Sequence, residues 1–284
     1  MKHTFVRWGL MGLLFVFLTA AGGAAATPDG KIKVLVYGGG SVHDFRGINA
    51  AVMEILGRCP QLELTAVTDT VLPAPQAKPG EPAPRPVIHS ALDAMLAKLP
   101  QSDVLFFHHT GGKLTPEQEQ ALCGAIASGK GFVGVHSAAD SFKQNATYME
   151  MIGGSFRTHP AYGPIDVTVH QPEHAIAKGL PERFTIQDEH YILQHDRSKL
   201  NVIADAPYKL LEYKMVVEQK DGKEVKTRKA TGKIAETGIM PAVWTKTWDK
   251  GRVAYISFCH DAKATRQEPV AKLVLQAVLW AGGK

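Results

Sequence analysis

Cysteine is scarce in this chain, and its number is odd. Cys59, Cys123 and Cys259 cannot all pair, and each sits in an apolar or helical context, so they read as buried thiols with room for one disulfide at most. No CxxC pair and no helical HExxH is present, which removes the compact metal and redox signatures. The glycine run Gly38-Gly39-Gly40 lacks the spacing and the later acid of a dinucleotide fingerprint, so no nucleotide cofactor is expected. Basic residues form no stripe interleaved with aromatics, which argues against a nucleic-acid partner. There is no internal repeat and no linker long enough to divide a domain.

One long apolar run exists, at the start. Lys2 and Arg7 precede an apolar core over residues 8–21, and Ala24-Ala25-Ala26 offers a cleavage site before Thr27. These are the three parts of a secretory signal peptide, with a core too short to span a bilayer comfortably and no lipid-anchor cysteine after it. The expectation is a leader over residues 1–26 and a single domain over 27–284. That domain would be periplasmic or secreted, with no membrane attachment after cleavage. Losing Lys2 and Arg7 takes the formal charge from +5 to +3, too mild a surplus to name a partner.

The rest alternates strand-like and helix-like segments. Residues 32–37 predict a strand, followed by glycines that let the backbone turn and approach a ligand closely. A helix over 48–56 and a strand over 62–67 follow, the opening of a parallel sheet. Residues 72–86 hold six prolines and predict an extended surface loop. Residues 103–107 predict a buried strand ending at His108 and His109. Thr115-Pro116-Glu117-Gln118 has the form of a capped helix start. Downstream, 165–169, 184–187, 191–193, 241–244 and 252–258 read as strands, and 268–280 as a closing helix. Residues 216–226 have the turn chemistry of a charged hairpin near 214–230. The class is α/β, a mainly parallel sheet sandwiched by helices.

The organising stretch is Gly131-Phe132-Val133-Gly134-Val135-His136-Ser137. A short apolar run ends in one polar residue and then small residues, the pattern of a buried strand turning sharply into a helix with a side chain held at the turn. In nucleophile elbows that residue is Ser or Cys. An imidazole is instead a proton shuttle or metal ligand, or it caps the following helix. Ligands bind beyond the carboxyl ends of strands in open parallel sheets. By that rule His43 with Asp44, His108 with His109, His136, and His260 with Asp261 are delivered to one edge. Arg157 with His159, and Asp188-Glu189-His190, lie on connections able to fold over it. For any one histidine taken alone a turn or core role is the better account; for the set it is not, because a core does not need imidazoles at every strand end.

Taken in order, the His43-Asp44 loop, the elbow segment, Gly153-Gly154-Ser155-Phe156 with His159-Pro160, Asp188-Glu189-His190-Tyr191, Pro241-Ala242-Val243-Trp244, and Gly251-Arg252-Val253 with His260-Asp261 resemble the ThuA-like (trehalose utilisation) family, over about residues 31–280. The resemblance implies a class I glutamine amidotransferase-like fold, a flavodoxin-like variant. Where that fold carries an elbow cysteine this chain has His136, and Cys259 stands on another strand, so glutaminase activity is not expected. What the family implies instead is disaccharide or glycoside catabolism beside enzymes that make 3-keto sugars.

The resulting expectation is metal-assisted cleavage or isomerisation of an oxidised (3-keto) glycoside, with a small carbohydrate as substrate. His136, His260, Glu189 and Asp261 would be catalytic. Arg157, Trp244, Asp44 and His109 would contact substrate. His43, His136, His159 and His260 would hold a divalent metal such as Zn. The alternatives are a non-catalytic carbohydrate-binding accessory protein and a metal-dependent hydrolase of another small substrate.

Overall fold

The computed structural model describes residues 30–40, 42–72, 87–220 and 223–283. The expected leader, residues 73–86 of the proline-rich stretch and the tip of the charged hairpin lie outside the described residues.

The chain opens with β1 (Ile32–Gly40), α1 (Phe45–Gly57) and β2 (Leu62–Thr68), then a small antiparallel pair, β3 (Thr70–Leu72) with β4 (Val87–His89). Next come α2 (Leu92–Lys98), β5 (Val104–Thr110), α3 (Pro116–Ala127), β6 (Gly131–Val135) and α4 (Ala146–Ile152). In α3 the sequence signal is met in full. Thr115 accepts from the Gln118 backbone N–H, the Gln118 side chain accepts from that of Thr115, and Pro116 takes the first turn. Then follow β7 (Gly154–Thr158), β8 (Gly163–Val169), β9 (Arg183–Asp188), β10 (Ile192–His195), β11 (Asn201–Lys220), β12 (Lys223–Trp248), β13 (Gly251–Ile256), α5 (Ala262–Arg266) and α6 (Glu268–Ala281).

Nine strands form one sheet in the order β2-β1-β5-β6-β13-β12-β11-β8-β9. The first five run parallel; every pairing from β13 outward to β9 is antiparallel. The α/β class holds, and the sheet is mixed, parallel over five strands only. Two apolar layers cover it because alternate residues of each strand face opposite sides. Val34, Val36, Val104, Phe106, Val133 and Val135 pack toward α1 and α6. Leu35, Tyr37, Leu105, Phe107 and Phe132 pack with residues of α2, α3 and α4.

The three glycines extend β1 rather than forming a loop, and they make room for the protein, not a ligand. Asn49 fills the space a Gly38 side chain would need, Asp69 that of Gly39, and the Thr110 backbone that of Gly40. All three cysteines are free, Cys123 and Cys259 buried and Cys59 half-buried. No described helix is long and apolar enough to cross a membrane.

Candidate functional site

At the carboxyl ends of the parallel strands the backbone takes two strained turns. His136 follows β6 directly with φ 41°, opening a 3₁₀ turn over His136–Asp140, and Cys259 lies just past β13 with φ 83°. Left-handed backbone at a non-glycine residue costs on the order of 1–3 kcal/mol and persists only where surroundings impose it. At His136 the Tyr255 hydroxyl donates to the backbone carbonyl at 2.7 Å. At Cys259 the buried Asp188 carboxylate accepts from the backbone N–H groups of Cys259 (2.8 Å), His260 (3.1 Å) and Glu189 (2.7 Å). Asp188 thereby joins the end of β9 to the loop that carries His260. Burial pushes its carboxyl pKa up against those hydrogen bonds.

The side chains so placed converge. His136 is fully buried, and its Nδ1 lies 3.0 Å from the Ser257 carbonyl, an acceptor only. Nδ1 therefore carries the proton in the neutral ring and Nε2 keeps its lone pair. That Nε2 lies 3.2 Å from His260 Nδ1 and 3.5 Å from Glu189 Oε2, and the triangle closes with His260 Nδ1 3.1 Å from Glu189 Oε2. The His43 ring lies 5.0 Å from that of His136 and 5.1 Å from that of His260, edge to face, with Nδ1 held 2.8 Å from Thr110 Oγ1. One donor atom from each of His43, His136, Glu189 and His260 falls within 4.8 Å of the others.

Electrostatics follow from this crowding. Burial would raise the Glu189 carboxyl, but the imidazoles gathered around it, with His159 and His260 hydrogen-bonded to its oxygens, outweigh burial and hold it far below the usual carboxylate range. Glu189 in turn raises His260 and His159 above the ordinary imidazole value. Burial, with His136 and His260 beside it, lowers His43 to about 3, and burial keeps His108 well below the ordinary value. One face thus holds two imidazoles biased toward the neutral form, His43 and His108, beside a fixed anion, with two half-exposed histidines at the rim.

The structure places the other expected site residues variously. His159 is outside the triangle. Its Nδ1 lies 2.9 Å from Glu189 Oε1 and 2.8 Å from the Pro160 carbonyl, so Glu189 stands in the group of four where His159 was expected. His109 faces the wrong side. It stacks on Phe142 and Tyr37 in the α2–α4 layer and bonds Ser141, while His108, one residue earlier, lies 5.7 Å from the His43 ring. Trp244 is fully buried against Tyr255 and donates to the Ile152 carbonyl, which removes it as a substrate contact. Asp261 caps α5 through the Ala264 N–H, and Asp44 caps α1 through the Gly47 N–H. Arg157 forms a two-point bridge to Glu236 of β12.

Sequence reading missed three participants. Asp188 was passed over in favour of its neighbour. His108 lost to His109 because nothing local tells which face of β5 meets the site. Tyr191 packs at a tilt against His136 with ring centroids 3.9 Å apart, and its hydroxyl lies 3.4 Å from His43 Nε2. Its only signal was its place beside Asp188-Glu189-His190.

Comparison with known proteins bears on the whole chain. The family model described as ThuA, trehalose utilisation, matches residues 33–281. No curated protein matches. Among solved structures, a ThuA-like protein from Parabacteroides merdae superposes with a TM-score of 0.64 at 14% identity, over 89% of this chain and 90% of that one. A ThuA-like protein from Bacteroides uniformis gives 0.61 at 17%, over 88% and 91%. At these identities the likeness establishes the fold, a nine-stranded α/β sheet consistent with the glutamine amidotransferase-like class.

Proposed function

Because this chain belongs to the trehalose-utilisation (ThuA) family, we propose that it acts on a sugar, and specifically that it cleaves or isomerises an oxidised (3-keto) glycoside with the help of a divalent metal. The observation that carries this reading is the triangle of His136 Nε2, His260 Nδ1 and Glu189 Oε2, with sides of 3.1–3.5 Å. Donors about 2.0–2.1 Å from a tetrahedral Zn²⁺ sit roughly 3.3 Å apart, so these three match one face of its coordination shell, and His43 stands beside them as a fourth donor. Three of the four ligands also have an outer partner: Ser257 for His136, Thr110 for His43, His159 for Glu189. Such partners orient ligands and fix the tautomer.

The chemistry of the substrate suits the residues. A ketone at C3 acidifies the proton on C2, and the glycosidic oxygen on C1 is then a β-leaving group. A bound metal would polarise the ketone. His159 is the base at the rim. With Nδ1–H shared between Glu189 and the Pro160 carbonyl, Nε2 is the nitrogen free to take the C2 proton. The electron pair forms C1=C2 as the C1–O bond breaks, and His159 returns the proton to the departing oxygen. Tyr191 and Phe156, packed at a tilt with ring centroids 4.2 Å apart beside His159, supply apolar ring surface at the same place. We also read the protein as exported, from its leader-like residues 1–26.

One preparation of secreted protein tests these readings. Elemental analysis should find a stoichiometric divalent metal, and a screen of glycosides against their 3-keto forms should show turnover of the latter, lost on chelation. Full turnover by metal-free protein would remove the metal. Bound sugar with no turnover would leave a binding protein. An intact Met1 in the mass spectrum would remove export.

A further inference from the structure

The antiparallel half of the sheet runs off the body of the protein. β11 meets β8 only at Ala204 and Asp205, and β12 meets β13 only from Val243 onward. Beyond Ala206 and Met240 the two strands pair with each other alone, out to Lys220 and Lys223. At about 3.3 Å per residue this is an arm roughly 50 Å long. Register shifts at Leu210 and Leu211 bend it near its base, as bulges do. The base is tied down, since Glu236 accepts from Arg157 and from the Tyr208 hydroxyl. Past that point, no hydrogen bond or ion pair among the described residues joins residues 212–233 to the rest of the chain. The pair Lys229–Glu218 and the Arg228 guanidinium over Tyr213 lie within the arm itself.

An isolated two-stranded ribbon is marginal in water, yet this one also exposes apolar surface. Of the ten large hydrophobic side chains exposed among the described residues, six lie on the arm: Tyr213, Met215, Val217, Val225, Ile234 and Ile239. Tyr213, Met215 and Val217 alternate along β11 and so share one face. The open edges carry many lysines, which disfavours adding a further strand and directs contact to the face.

We propose that the arm is a dimerisation element, two copies of the chain exchanging arms about a two-fold axis so that each lies face-down across the other's body. The area decides for a second copy. One face of the ribbon, about 50 Å by 10 Å, covers about 500 Å², so a single arm on an unrelated protein buries about 1,000 Å² in total, the lower limit for a specific interface. Reciprocal arms bury about 2,000 Å², the range of stable dimers, and a two-fold axis makes the second arm automatic.

Light scattering coupled to size exclusion, on the full chain at micromolar concentration, should give twice the chain mass. The double variant Met215→Glu, Val217→Glu should give the single-chain mass with unchanged circular dichroism. A photo-crosslinking phenylalanine analogue at Val217 should yield a covalent dimer on irradiation of purified protein. That readout holds even if the charged variant folds poorly. A monomeric native protein overturns the proposal, whether or not it binds anionic vesicles through the arm. So does a dimer untouched by the double variant that forms no adduct from position 217.

Discussion

Two polar nests lie at the carboxyl ends of the parallel strands, one on each face of the sheet, built from similar residues. On the α2–α4 face, Asp69 accepts from the Tyr37 hydroxyl (2.8 Å) and from the backbone N–H groups of Gly40 (3.0 Å) and Ala91 (2.8 Å), while His109 bonds Ser141. On the α1–α6 face, His136, His260 and Glu189 press donor atoms toward one point, with His43 beside them. The first nest answers itself: its acid is consumed by donors of the chain, and it sews strand ends together. The second keeps a lone pair on His136 Nε2 directed at another imidazole and a carboxylate, an arrangement that gains from an added cation or proton. Histidine and acid alone do not mark a site; unspent valence at a point of convergence does.

The sharpest way to break that comparison is to delete one member of each nest. His136→Gln should lower turnover about 10³-fold, roughly 4 kcal/mol of barrier, and weaken metal binding by more than the ~10–100-fold typical of an outer partner. Its stability cost should stay near 1–2 kcal/mol, for the Ser257 carbonyl that loses its donor. Activity and metal content that survive with a much lower Tm would make His136 a core residue and erase the distinction. Asp69→Ala should behave in the opposite sense. Three donors, two of them buried, lose their acceptor at once, so urea denaturation should show a loss of about 3 kcal/mol, with metal binding by the surviving folded protein unchanged.

A smaller effect separates the buried histidines from those paired with Glu189 by pH. His109 is held at about 4 by burial, below its unfolded value near 6.5. The unfolded chain therefore binds a proton that the folded chain refuses. The stability is present above about pH 6.5 and is lost as pH falls toward 4. One such group gives a slope of at most about 1.4 kcal/mol per pH unit. His43 and His190 add to it in the same direction. His159 and His260 carry the other sign. Glu189 raises their folded pKa, so their contribution is complete below about 6.5 and is lost as pH rises through the folded values. Urea titrations across pH should show His109→Gln flattening the acid side and His159→Gln the alkaline side. An unchanged acid slope in His109→Gln would mean that the ring is already charged in the folded nest.

The sequence by itself determined the class of fold, the order of most elements, the capping box of α3 and the elbow at His136. Each of these is written locally, in periodicity, capping chemistry and a change from apolar to small residues. It also named the strand ends that carry His43, His136 and His260. Tertiary structure alone decided which neighbours join them. Successive residues of an extended strand point to opposite faces, so His108 and His109 are equivalent in sequence and separated by the whole sheet in space. Trp244 and Asp261 have the polarity expected of a site, yet the packing of β12 and the start of α5 turn one into core and the other into a cap. Glu189 displaced His159 because the fixed loops past β9 and β13 set which carboxylate oxygen reaches the triangle. The length of the arm was hidden for the same reason: a strand's pairing partners are chosen by distant chain, and local pattern records only that it is a strand.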